Sequence, residues 1–316
     1  MKFINEFREG DNIIGIYLCK QKNVATTKNG KEYENVTLAD KTGSISCKIW
    51  EPNSMGIGDF SVNDYVEVHG KVTVFNGALQ MSIDRSLKAH EGSYDPKDYL
   101  AVSEHDPEDM YRKLMEFVNS IQSPFFRLLL DSFFTEDEEF IRSFKTHSAA
   151  KSIHHGFMGG LLQHTLSVCQ LCDFYCRQYP KLNRDLLITA ALCHDIGKTR
   201  ELSAFPSNDY TDEGQFLGHI VMGVEMVDEK IRKIKGFPAL KAMELKHCIL
   251  AHHGEYEFGS PKKPAIIEAV ALNFADNTDA KLEAMTEVFN NSFNTDPSNP
   301  WLGYSRIFDS NIRPTD

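Results

Sequence analysis

Alternation of apolar and polar residues runs through residues 12–90 and then gives way to a helical period. Ile14 to Leu18, Tyr33 to Leu38, Ser44 to Trp50, Tyr65 to Phe75 and Leu79 to Ile83 each read as a half-buried strand. Turn chemistry separates them: Asn29-Gly30, Asp40-Lys41-Thr42-Gly43 and Asn76-Gly77. Five short strands so punctuated predict a small closed barrel. From Pro107 to Phe144 the apolar positions fall at helical spacing, with Met110, Leu114, Phe117, Val118 and Ile121 first, then Phe125, Phe126 and Leu128 to Leu130. Pro124 is placed to open the second of these helices. Leu186 to Cys193 is apolar enough to be a helix buried on every side.

These patterns divide the chain into an all-β barrel at residues 1–92, a helical connector at 93–149, an all-α bundle at 150–289 and a tail at 290–316. The connector is apolar enough to pack on the bundle rather than hang as a loose linker. The tail is rich in Asn, Ser, Pro and Asp but carries Trp301, Tyr304, Ile307 and Phe308, which suit docking on another surface. A neighbouring subunit is one such surface, so a homo-oligomer stays open.

Composition narrows the class. A chain of 316 residues, 41% hydrophobic and 25% charged, has the size of about two domains and the balance of a globular protein. It has no apolar run near the length of a membrane span, and Met1 to Glu6 lack the apolar core of a signal peptide. Seven irregularly spaced cysteines point to a reducing, cytoplasmic setting. Cys169, Cys172 and Cys176 share a helix face, but no second ligand pair follows, so they read as core residues rather than a zinc site. The net charge of −11 is uneven: residues 1–92 hold 11 Lys+Arg against 12 Asp+Glu, and −10 falls later. Part of that is Glu136 to Glu139, a solvated helix start, while Lys20, Lys22, Lys28 and Lys31 cluster in the barrel. The global charge neither requires nor excludes a nucleic-acid substrate.

The chemistry lies after residue 160. His164, the pair His194-Asp195, His219, the pair His252-His253, Asp276 and Asp279 stand in apolar, helical surroundings, where an unpartnered polar group is costly. Histidine and aspartate are ligands for divalent metals, and a metal gives all of them one partner. A lone histidine is more often structural than ligating; a set in one order is different. His164 in Gly-Gly-Leu-Leu-Gln-His-Thr, then His194-Asp195-Ile196-Gly197-Lys198, then Asp276 in Asn-Phe-Ala-Asp resembles the HD phosphohydrolase superfamily over about residues 150–285. The resemblance implies that His164, His194, Asp195 and Asp276 hold a first metal and that Asp195 bridges to a second. His219, in Gly-His-Ile-Val-Met-Gly, and the pair His252-His253 look like the extra histidines of the two-metal subgroup, His252 being the favoured inner ligand of the pair. Lys198 is a candidate catalytic group that steadies a phosphate oxygen; the alternative is a lysine placed to suit a helix C-terminus. Asp279, one turn beyond Asp276, either orients a ligand or faces solvent. His154 and His155 could reach the rim of the site and are not expected to be ligands.

The run Val36-Thr37-Leu38-Ala39-Asp40-Lys41-Thr42-Gly43-Ser44-Ile45, followed by Cys47-Lys48-Ile49-Trp50, is similar to the second and third strands of nucleic-acid-binding OB-folds. Strand parity points Ile45, Cys47 and Ile49 inward and Ser46, Lys48 and Trp50 outward. An exposed aromatic beside a lysine suits base stacking with phosphate attraction, and Tyr33 and Phe75 are further stacking candidates. The alternative is that Trp50 and Phe75 are packed against the helices that follow, since large aromatics are mostly buried.

An OB barrel followed by an HD domain resembles the YhaM-type 3′–5′ exoribonucleases of Gram-positive bacteria over nearly the whole chain. The resemblance implies removal of nucleotides from the 3′ end of single-stranded RNA, with single-stranded DNA as a further substrate, using two divalent ions per chain, typically Mn²⁺. Paired ions about 4 Å apart suit phosphodiester hydrolysis. Gly254-Glu255-Tyr256 after His253 departs from the Gly-Tyr-Pro signature of cyclic-dinucleotide enzymes. Two other readings stand beside this one: a nucleotide phosphohydrolase with a regulatory barrel, and a non-catalytic RNA-binding protein with a structural metal.

Overall fold

The computed structural model describes residues 1–27, 29–100, 102–151, 156–291 and 299–315, and the chain divides into two compact units, Met1–Ala101 and Val102–Asp316. Lys28 of the basic cluster and both His154 and His155 lie outside the described residues.

The first unit is the expected barrel. Strands β1 (Asn12–Thr26), β2 (Glu32–Asp40), β3 (Gly43–Ile49), β4 (Tyr65–Phe75) and β5 (Ala78–Lys88) close in the order β1-β2-β3-β5-β4. All pairings are antiparallel except that of β3 with β5. Strand β1 is long enough to serve both ends of the closure: Asn12 to Leu18 pair with β4, and Leu18 to Thr26 pair with β2 across a bulge between Cys19 and Gln21. A second bulge lies at His69 and Gly70, where a Cβ on Gly70 would stand 2.5 Å from the carbonyl oxygen of Ser82. Only glycine lets the two strands approach so closely there. Ile45, Cys47 and Ile49 are buried with Val36, Leu38, Val66, Val68, Val72 and Met81 in one core. The parity read from the sequence is the parity of the barrel wall.

The second unit is helical: α1 (Pro107–Ser120), α2 (Pro124–Phe134), α3 (Glu138–Thr146), α4 (Gly160–Gln178), α5 (Arg184–Cys193), α6 (Lys198–Glu201), α7 (Asp212–Lys233), α8 (Ala239–Ala251) and α9 (Ile267–Asn291). Pro107 and Pro124 sit at helix starts, and Asp106, Asp137, Asn183 and Thr211 accept hydrogen bonds from first-turn backbone N–H groups. Helix α5 is the axis of the unit, with Leu186 to Cys193 all buried and α2, α4, α8 and α9 packed around it. Residues of α1 to α3, including Leu114, Leu129, Phe134 and Phe144, join the same core. Cys169, Cys172, Cys193 and Cys248 are buried in it as thiols. A short hairpin of β6 (Gly303–Ser305) and β7 (Ser310–Ile312) follows α9. Among the described residues no helix is long and apolar enough to cross a membrane.

Candidate metal centre

A helix buried on all sides must end somewhere, and α5 ends in His194-Asp195. Because α5 is enclosed, its last residues are delivered into the middle of the bundle: His194 has no exposed surface and Asp195 is 2% exposed. Helix α8 ends in the same way at His252, which is also fully buried. His164 comes from the second turn of α4, Asp276 and Asp279 from α9, and His219 from α7. Helix α7 is broken just before His219, where Gly218 has φ +73° and re-aims the chain. Gly197 makes the approach of α7 possible, since a Cβ there would lie 2.0 Å from the carbonyl oxygen of His219.

One pattern unites the five imidazoles. Nδ1 of His194 bonds the carbonyl oxygen of Ala191 at 2.8 Å, and Nδ1 of His252 that of Ile249 at 2.7 Å. Nδ1 of His253 meets the carbonyl oxygen of Phe258 at 2.9 Å. For His164 the partner is Asp279 Oδ2 at 2.6 Å, and for His219 it is Glu201 Oε1 at 3.0 Å. Carbonyl and carboxylate oxygens accept, so each Nδ1 carries a proton, and in the neutral ring Nε2 is left as a donor of its lone pair. An oxygen behind each ring is the arrangement that orients and strengthens metal-binding histidines.

The Nε2 atoms and carboxylates gather in two groups on either side of Asp195. His164, His194 and Asp276 form one cluster, and His219, His252 and His253 the other, each with its ligand atoms within 4.8 Å of one another. Oδ2 of Asp195 lies 3.4 Å from His194 Nε2 and 3.5 Å from His164 Nε2. Its Oδ1 faces the other way, 3.5 Å from His219 Nε2 and 3.8 Å from His252 Nε2. Neither distance is a hydrogen bond. Oδ1 of Asp195, Nε2 of His219 and Nε2 of His252 are buried with no hydrogen-bond partner. Three unsatisfied acceptors turned toward one another are costly unless a cation joins them. The donor set fits divalent metal ions: imidazole nitrogens and carboxylate oxygens, with no cysteine in either cluster.

Electrostatics agree with that chemistry. Burial disfavours charge on Asp195, but Lys198, whose Nζ lies 2.6 Å from Oδ2, together with His194 and His219 outweighs it and holds the carboxyl well below the usual range. Burial keeps His252 and His253 neutral, as ligands must be. His164 is the exception: against burial, hydrogen bonds to Asp276 and Asp279 raise it to about 10, so a metal there must displace the proton of its Nε2. Glu201 is held low against burial by its hydrogen bonds to His219.

The centre opens into a cavity of about 550 Å³ that includes His164, Lys198, His253 and Asp276. Lys198 thus borders both the carboxylate and the cavity. Two positions that support the candidate ligands escaped the sequence reading: Glu201, in a stretch without a metal motif, and Asn273, whose side chain donates to the carbonyl of His252 at 2.7 Å. In the barrel, Tyr33 and Trp50 lie together with ring centroids 5.1 Å apart, and the Lys48 ammonium stands 5.0 Å from the Tyr33 ring. Trp50 is 48% exposed. Phe75 is exposed at the tip of the β4–β5 hairpin, and among the described residues no ring contact joins it to that pair.

Two known families match the two parts of the chain. The OB-fold nucleic acid binding domain matches residues 21–86, and the HD domain matches residues 161–281. A curated relative from Geobacillus sp. (strain WCH70), the 3′-5′ exoribonuclease YhaM, is 33% identical over 282 residues, covering 89% of this chain and 86% of its own. The protein of the same name from Oceanobacillus iheyensis is 32% identical over 277 residues, covering 87% and 86%. Among solved structures, the second OB-fold domain of replication protein A from Methanococcus maripaludis aligns with a TM-score of 0.23 and 22% identity, covering 30% of this chain and 98% of its own.

Proposed function

The chain belongs to the YhaM family of 3′–5′ exoribonucleases, and from that membership we infer that it shortens single-stranded RNA from the 3′ end, releasing nucleoside monophosphates by metal-dependent hydrolysis. The observation that carries the chemistry is Asp195: one buried carboxylate with an oxygen turned to each of two histidine clusters. We assign two divalent ions per chain, Mn²⁺ foremost. His164, His194, Asp195 and Asp276 would hold one, and His219, His252 and His253, with the other oxygen of Asp195, would hold the second. Such a pair supplies Lewis acidity, making water nucleophilic at neutral pH and offsetting charge on the scissile phosphate.

The chain's own groups do the rest. Asp279, Glu201 and the carbonyls of Ala191, Ile249 and Phe258 fix the five rings. The Lys198 ammonium keeps Asp195 ionised and sits on the cavity, where it can meet a phosphate oxygen. Tyr33, Trp50 and Lys48 give the barrel a stacking pair with a cation beside it, suited to single strands, and Phe75 offers a separate exposed ring. Single-stranded DNA fits the same grip. We place the enzyme in the cytoplasm on its seven free cysteines.

The test is digestion of end-labelled single-stranded RNA with Mn²⁺. A 5′ label should give a descending ladder, and a 3′ label should appear at once as mononucleotide. Turnover of free nucleotides as fast as oligonucleotides would overturn the reading in favour of a nucleotide phosphohydrolase with a regulatory barrel.

A further inference from the structure

Two cavities meet at two side chains of α9. The metal cavity, besides its ligands, is walled by Phe258, Asn273, Phe274 and Asn277. A second cavity of about 380 Å³ lies against Tyr175, Tyr179 and Leu182. Val270 and Phe274 line both. These two residues are four apart on α9 and so form one ridge between the cavities. The ridge is apolar and open to water: Phe274 is 58% exposed and Val270 40%. On either side stand further exposed rings, Phe258 at 65% and Tyr179 at 60%. A row of exposed aromatics leading away from buried metal ligands has little use as packing. It is what successive nucleobases need, because stacking accepts every base by its face.

We propose that the two cavities are a track for the last two bases of the strand, the terminal base lying against Phe258 and Phe274 in the metal cavity and the preceding base lying beyond Phe274 against Tyr179 and Tyr175. The assignment rests on the 3′–5′ exoribonuclease reading and names the groups by which the centre feels its substrate. The order follows from the product. A released mononucleotide carries the phosphate that is cut, so the terminal nucleotide is the one within reach of His164 and Asp276. The volume of the metal cavity is that of a site for one small ligand. The ridge then separates the terminal base from its neighbour, a placement that a base still paired in a duplex cannot adopt.

The experiment uses the full-length protein with Mn²⁺ and 5′-labelled RNAs that carry an abasic residue at the terminal, the penultimate or a distant upstream position. In the unaltered enzyme, kcat/KM for the first cleavage should fall about 5- to 150-fold for each of the first two and little for the third. Tyr179→Ala should lower kcat/KM on intact RNA by a similar factor and cancel the penultimate penalty alone. Phe258→Ala should cancel the terminal penalty alone, and Phe274→Ala should reduce both. Metal content per chain and circular dichroism establish that each variant is folded and loaded. The track is overturned if the unaltered enzyme shows neither penalty, or if loaded variants keep both at full size. If the unaltered enzyme fails to shorten intact RNA from its 3′ end, the family reading has failed instead, before any variant is compared.

Discussion

Glu201 is the sharpest place to test how the second cluster is built. Its Oε1 accepts from the backbone N–H of His219 at 2.9 Å and from Nδ1 of the same residue at 3.0 Å. One oxygen therefore fixes both the backbone and the ring of a proposed ligand. Glu201→Gln can keep both hydrogen bonds and loses only the charge that makes Nε2 a stronger donor. Glu201→Ala loses the charge and both bonds. Removing the oxygen partner behind a metal-bound histidine weakens affinity about 10- to 100-fold, or about 1.4–2.7 kcal/mol. Gln should fall at the lower end and Ala at the upper. The alanine variant should also unfold more easily, since an N–H left without its acceptor costs about 1–3 kcal/mol. The assay is calorimetric titration of chelator-treated protein with Mn²⁺. One site should weaken, and the ion at His164, His194 and Asp276 should bind as before, because His164 has its own orienting carboxylate in Asp279. Equal weakening of both sites, or none in the alanine variant, would refute the division into two clusters.

Asp195→Ala should abolish hydrolysis while RNA binding, followed by fluorescence anisotropy, persists; parental turnover in excess Mn²⁺ would remove Asp195 from the centre. Trp50→Ala should weaken single-strand binding by about 1–3 kcal/mol with kcat at saturation retained, and an unchanged KM would take the Tyr33–Trp50 pair out of RNA recognition. Gly197→Ala places a Cβ 2.0 Å from the carbonyl oxygen of His219 and 2.7 Å from the backbone nitrogen of Gly223. The loss should reach at least the about 1–3 kcal/mol of ordinary overpacking, read as a fall in Tm, because backbone and not a side chain must yield. A parental Tm would contradict that.

Strand alternation and turn dipeptides made the barrel legible, down to which residues of β3 face inward, because a half-buried sheet writes its pleat directly into the sequence. The family of the catalytic half was legible from His164, His194-Asp195 and Asp276, set in apolar helices where such groups need a reason. Glu201 was not, since Lys-Thr-Arg-Glu looks like any solvated turn. Its burial depends on the close approach of α7, which Gly197, Gly214 and Gly218 permit and which no local pattern announces. Asp279 stood one turn from Asp276, and only the packing of α4 against α9 decides that it meets His164 rather than water. The ridge of Phe274 was hidden for the opposite reason, because an apolar residue in an apolar helix reads as core until its neighbours are known.

The three unsatisfied atoms around Asp195 also bear on how much of the enzyme a cell keeps. A newly made chain that has not yet taken up its ions buries them at a cost of about 1–3 kcal/mol each, whereas loading adds stability as RT ln(1 + [L]/Kd). Differences of about 1–2 kcal/mol change the steady-state level of a protein several-fold through proteolysis of its unfolded form. Scarcity of the metal should therefore thin the population of the nuclease as well as idle its members, and the supply of the ion would set RNA turnover twice over.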